Sequence, residues 1–256
     1  MKKNIVMAAL AIVLFAVPAN AHFMWINVGD YTPDAGKTVM LNVGWGHSFG
    51  NPVGGVLQDF ERMDELFVLD PDGKRINVTS ANHTDFKTDS PLKKEGTYLA
   101  VLKRKEGFSS KTTEGYKTQS KKELKNVVKC SYSGGYGKAI INHGKGDGSI
   151  LSKEIGHTLE IIPLNDPADL NEGDDMRIKV LYKGKPLSTD ISATYVGFST
   201  EGEWAYTAKS DMDGKGKIKI LKPGIWLVKI GHGEPYPDPE TCDQYSYTSV
   251  LTFEVK

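Results

Sequence analysis

The residues of this 256-residue chain best equipped for chemistry are its six histidines: His22, His47, His83, His143, His157 and His232. His22 stands apart because of what precedes it. Lys2 and Lys3, the apolar run Val6 to Val17 and the small-x-small triplet Ala19-Asn20-Ala21 have the pattern of an export signal with its cleavage site. Cleavage after Ala21 makes His22 the first residue of the mature chain and gives it a free α-amine. An amino-terminal histidine chelates through that amine and its ring Nδ1 together, which no internal histidine can do. One further imidazole completes a T-shaped or square-planar nitrogen set, which suits Cu(II) or Ni(II) better than Mg or Ca. His47, in "GWGHSFG", is the expected partner. The other amino-terminal copper and nickel motif needs a histidine at the third mature position, where this chain has Met24. His83, His143 and His157 are assigned to ordinary hydrogen-bonded roles.

Bringing two imidazoles together requires strands. Val39, Leu41, Val43 and Trp45 alternate with Thr38, Met40, Asn42 and Gly44, the two-residue period of a half-buried strand. If residues 23–28 pair antiparallel with 38–45 across the turn "DYTPDAGK", the start of one strand and the end of the other share an edge. His22 and His47 then meet. "LFVLD" and "RINVT" flank the tight turn "PDGK", and "TYLAVLK" and "KAIINH" add strand character. Residues 103–126 are strongly polar and are expected to form a long surface loop with one helical turn. From Thr158 onward seven short strand candidates follow at regular spacing: "TLEIIP", "MRIKVLYK", "ISATYVGF", "EWAYTA", "KIKILK", "IWLVKI" and "YSYTSVLTFEV". The expected fold is all-β, with two β-sandwich domains, the second immunoglobulin-like or transthyretin-like. The expected boundaries are 1–21 for the signal, 22–156 for the N-terminal sandwich and 157–256 for the C-terminal one.

Composition narrows the function. The chain has 32 basic and 32 acidic residues, and loss of Lys2 and Lys3 leaves 30 against 32. This balance gives no pull toward nucleic acid or anionic lipid. The apolar run of the leader is shorter than the roughly 20 residues of a membrane span, so the mature chain is expected to be unanchored, in a bacterial periplasm or outside the cell. Cys130 and Cys242 are the two cysteines. Export permits them to pair, and the sequence leaves both states open; a bridge would stabilise by roughly 4–5 kcal/mol in the chain-entropy model. "SDMDGKGKIKI" mimics a calcium loop, but setting Gly214 at its sixth position puts Lys209 at the first and Ile220 at the twelfth, where acidic ligands are needed. A hairpin turn is the better reading. "NHGKGDGS" lacks the ending and the helix of a phosphate loop, and no G-x-S-x-G, H-E-x-x-H or C-x-x-C occurs. No enzyme activity is expected from these patterns.

Four stretches carry a family resemblance: "AHFMWI", "GWGHSF", "TLEIIPLNDPADLNEGDDMRIKVLYKGKPLS" and "SDMDGKGKIKILKPGIWLVKI". Together they resemble the DUF4198 family of exported bacterial proteins, related to periplasmic components of cobalt or nickel uptake systems of the NikM/NikK type. The resemblance runs over nearly the whole mature chain. It implies a metal-handling role and carries over His22 and His47; it supplies no catalytic residue. His232, in "IGHGEPYPD", with Asp243 beside it, is a further candidate ligand at an inter-domain face, against the plainer reading of a polar loop. The resulting expectation is a metal-binding accessory protein holding Ni, Co or Cu at His22, His47 and His232 and delivering it to a membrane metal permease. The rivals are a metal-free carbohydrate- or protein-binding sandwich using Trp204, Tyr206 or Tyr236, and a copper-dependent oxidative enzyme with the same amino-terminal histidine geometry.

Overall fold

The structure is a computed structural model that describes residues 22–49, 62–82 and 84–256. The expected signal and its cleavage site, and His83, lie outside the described residues. The described chain is an all-β sandwich, as the sequence predicts. Strand β1 (Phe23–Val28) pairs antiparallel with β2 (Met40–Gly46) in the register Phe23↔Gly46 to Val28↔Leu41. Strands β3 (Met63–Leu69) and β4 (Arg75–Ser80) form the hairpin around "PDGK", where Asp70 Oδ1 accepts from the amides of Asp72 and Lys74. Strand β5 (Asp85–Thr88) joins β2 to β4.

The expected loop over 103–126 is instead mostly strand. Strand β6 (Gly96–Thr112) and β8 (Val127–His143) each run 17 residues and pair along their length, with β7 (Gly115–Lys117) closing the hairpin on β6. The distal part of this ladder is largely polar, but Ser110 and Cys130 are buried there and Phe108 and Tyr132 pack with Tyr236 and Tyr245. Backbone hydrogen bonds hold the rest. The Cys130–Cys242 disulfide, with Cα atoms 5.1 Å apart, ties β8 to the segment before the last strand.

The C-terminal half holds all seven expected strands. They are β9 (Leu159–Pro163), β10 (Asp175–Tyr182), β12 (Asp190–Tyr195), β13 (Tyr206–Lys209), β14 (Lys215–Lys219), β15 (Gly224–Pro235) and β16 (Gln244–Val255), with a two-residue β11 (Lys185–Pro186) added. The turn "SDMDGK" does not close a hairpin. β13 pairs with β12 and β14 with β10, so this turn carries the chain from one sheet to the other.

One twelve-stranded sheet, ordered β1-β2-β5-β4-β3-β6-β8-β16-β15-β12-β13 with β7 paired to β6 off this path, runs through both halves, and β9, β10, β11 and β14 form the second sheet. Gly156, the expected boundary, lies before β9, and the parallel pairing of β16 with β8 joins the chain on either side of it. Strands β6 and β8 are covered on both faces. Leu99, Val101, Tyr136 and Ile140 join one core with β9, β10 and β14; Tyr98, Ala100, Leu102, Ala139 and Ile141 join another with β1, β2 and β5. Each fully buried aliphatic side chain there contributes about 1.5–3 kcal/mol. This doubly covered slab is the rigid base on which β1 and β2 present their ends.

Candidate metal centre

His22 precedes β1 and His47 follows β2, so the antiparallel register sets both at one edge. Their rings lie 3.9 Å apart, centroid to centroid, at 46°. The hairpin inferred from the alternation therefore forms, and it brings together the two imidazoles singled out in the sequence. A third ring, Trp45, stacks parallel to His22 at 5.7 Å and 9°, with the Arg104 guanidinium 5.5 Å from its own ring. His47 is exposed.

Two glycines make this edge possible. A Cβ on Gly44 would stand 2.2 Å from the indole of Trp25, so only glycine lets that buried ring lie across β2. Gly202, at φ +83°, comes so close that a Cβ would stand 2.8 Å from the carbonyl oxygen of His47. The loop before β13 thus braces the backbone of His47. Behind the pair, Phe23 packs on Trp25 at 5.3 Å and on Trp204 at 5.9 Å, beneath the Lys229 ammonium. Trp204 is therefore engaged in packing beside the edge. A polar chain holds the strands in register beneath it: Trp25 Nε1 donates to Asn27, Asn27 to Asn42, and Asn42 to Asp85.

Electrostatics favour neutral imidazole at His22. Partial desolvation, then the neighbouring ring of His47, hold its pKa below the ordinary histidine value. A metal about 2 Å from each of two imidazole nitrogens sets the ring centres more than about 4 Å apart, so the two rings, 3.9 Å apart here, would have to swing slightly outward to share one ion. Among the described residues no cluster of three or more His, Cys, Asp or Glu side chains could hold a metal ion. The pair thus offers two side-chain nitrogens, and the third nitrogen of the expected set is the α-amine that cleavage after Ala21 would add.

His232 does not join this edge. Along β15, Val228 and Ile230 face the core under β10, whereas Lys229 covers Phe23. By the same alternation His232 shares the face of Ile230, where its ring lies 4.2 Å from Tyr182 and its Nε2 4.0 Å from Glu234. Asp243 is occupied elsewhere, accepting from the Cys130 amide at 2.6 Å and from Lys121. His143 is buried with Nδ1 2.8 Å from the carbonyl oxygen of Pro33. His157 departs from the ordinary role expected of it, because its buried Nδ1 has no hydrogen-bond partner among the described residues.

A family model described as "Domain of unknown function (DUF4198)" matches residues 19–234. No curated protein matches the chain in sequence. Among solved structures, a segment of two fibronectin type-III domains from chicken tenascin aligns over 88% of this chain and 96% of its own, at 16% identity and a TM-score of 0.23. The D0-D1 domain of intimin aligns over 90% and 96%, at 14% identity and a TM-score of 0.23. The Bacteroides ovatus protein SGBP-B, from a mixed-linkage glucan utilization locus and solved with a mixed-linkage heptasaccharide, aligns over 89% of this chain and 43% of its own, at 11% identity and a TM-score of 0.20. Among the described residues no helix is long and apolar enough to cross a membrane.

Proposed function

The chain belongs to the DUF4198 family, and for this member we propose the role of an exported transition-metal-binding accessory protein whose cargo is held at His22 and His47. The cargo is Ni(II), Co(II) or Cu(II), and its destination is a membrane permease. The observation that carries this reading is the 3.9 Å spacing of the two rings at the edge where the mature chain would begin. Two imidazoles and one amine form a nitrogen set of the kind late first-row divalent ions prefer. The paired strands bring the two residues together in advance and Trp45 stacks on the His22 ring, which reduces the ordering cost of binding. Binding and release suffice for this role, and no catalytic group is required.

Metal and proton compete for the same nitrogens, so affinity falls as pH drops through the imidazole range. Equilibrium dialysis of the processed chain against nickel, cobalt and copper tests the reading. One ion per chain is expected, lost in both His22→Ala and His47→Ala and retained in His232→Ala. Unchanged stoichiometry in the first two variants removes the site.

A further inference from the structure

Strands β6, β8, β16 and β15 lie side by side, and β1 covers one face of them only as far as Gly135, where Met24 sits over the backbone. Past that point the same face is open. Directly paired residues share a face, so the register lays this surface out in rows. Ser133 and Ser246 stand side by side in the first open row, between Gly107 and Gly233. Ser109, Ser131 and Gln244 form the next. Lys111 and Lys129 close the far end, with Tyr116 paired to Lys111. A Cβ on Gly107 would meet nothing within 4 Å, and one on Gly233 would meet only the backbone oxygen of Tyr245, so no described side chain overhangs the rows.

The side chains of these rows are uncommitted. The hydroxyls of Ser109, Ser131, Ser133 and Ser246 and the amide of Gln244 make no hydrogen bond among the described residues, and all five residues are half-buried. The charge on the face has one sign. Arg104 stands at the covered end beside Trp45, and the exposed Lys111 and Lys129 stand at the other. The nearby carboxylates are turned away or engaged. Residues 105 and 106 form a bulge, and Glu106 takes hydrogen bonds from Tyr136 and Thr158 on the opposite face. Glu234 likewise points to that opposite face, where Tyr182 donates to it. Asp243, the carboxylate nearest in effect to Lys129, is held by Lys121 and the Cys130 amide.

Shape and chemistry together select the occupant. From Gly135 to Lys129 the face is about 20 Å long, and four strands make it about 14 Å wide. That is roughly 300 Å², well short of the roughly 800 Å² that each partner gives to a stable protein interface. Its strands are paired on both sides, so it cannot take up a peptide as an added strand. Between the cations the rows hold no large apolar side chain to enter a bilayer. What they offer is a flat bed of hydroxyls and an amide that both donate and accept, ended by positive charge. A long, thin ligand bearing hydroxyls and carboxylates complements this bed. We infer that the face binds an acidic polysaccharide laid along the strands, its hydroxyls on the serine rows and its carboxylates toward Arg104, Lys111 and Lys129. The inference does not depend on the metal reading.

The test is calorimetric titration of the processed, chelator-treated protein with oligogalacturonate and oligomannuronate, with neutral malto-oligosaccharide and phosphatidylglycerol vesicles as comparisons. Saturable binding to at least one acidic oligosaccharide is expected, weakening as salt is raised. Ser246→Glu sets a negative charge in the middle of the bed and should raise the Kd at least about tenfold. Lys111→Gln with Lys129→Gln, both at exposed positions, should raise it severalfold. Lys74→Gln with Lys185→Gln removes the same charge elsewhere on the surface and should leave binding unchanged, as should His22→Ala, which separates this result from any failure at the metal site. The inference is overturned if neither acidic oligosaccharide binds, if the neutral one binds as tightly, or if only the vesicles bind. It is likewise overturned if Ser246→Glu binds as the parent does, or if the two lysine pairs have equal effects.

Discussion

Lys138 Nζ lies 2.6 Å from Glu160 Oε1 with both side chains 2% exposed, joining β8 of the N-terminal half to β9 of the C-terminal half. The pair is fully engaged. Glu160 also accepts from the amides of Ile155 and Gly156, and Lys138 also donates to the carbonyl of Ile161. Removing one member strands a buried charge, so Lys138→Met should cost about 3–5 kcal/mol. Replacing both, as Lys138→Met with Glu160→Leu, should cost clearly less than Lys138→Met alone. Urea unfolding of Lys138→Met, Glu160→Leu and the double variant measures this; a double loss equal to the sum of the two single losses would mean that the pair is not coupled.

The Cys130–Cys242 bridge spans 112 residues of sequence and clamps the projecting part of the β6–β8 ladder. Replacing both cysteines with Ser should lower stability by about 2–5 kcal/mol. Amide exchange should rise most in residues 104–135, the part of the ladder that the bridge ties to the segment before β16. Thiol titration of the unfolded, unreduced chain should find no free thiol; two would contradict the bridge.

Burial, and then the nearby charge of Lys138, push His157 down to about 4. The unfolded chain, with a histidine near 6.5, takes up this proton first as pH falls. Stability is therefore unaffected above about pH 6.5 and declines between there and pH 4, by up to about 3 kcal/mol from this residue. His157→Gln should remove that part of the slope. The comparison is the urea midpoint at pH 7 and pH 4.5 in both proteins, and an identical acid loss would rule out His157 as its source.

Much of this was legible where local pattern and global packing agree. The seven C-terminal strands follow their alternation and turn residues, and the β1–β2 hairpin follows from "DYTPDAGK" between two strand patterns. The meeting of His22 with His47 is then a matter of register. The polar run 103–126 reads as loop because sequence patterns report burial, and this ladder is held by backbone pairing and a disulfide. The parallel pairing of β8 with β16 links residues more than a hundred apart, which no local period records. Lys138, a lone charge in the apolar "KAIIN", was the one available signal of a buried polar junction. His232 shares its residue type with the pair at the edge, yet the alternation of β15 turns it to the other face.

The most direct test compares Cu(II) electron paramagnetic resonance spectra of two chains, one beginning at His22 and one retaining Ala21. The chain beginning at His22 should bind one ion with superhyperfine structure from three nitrogens. Retaining Ala21 moves the free amine off His22 and should weaken binding and change that pattern. Identical spectra and affinities in the two chains would contradict a centre built on the His22 terminus and His47.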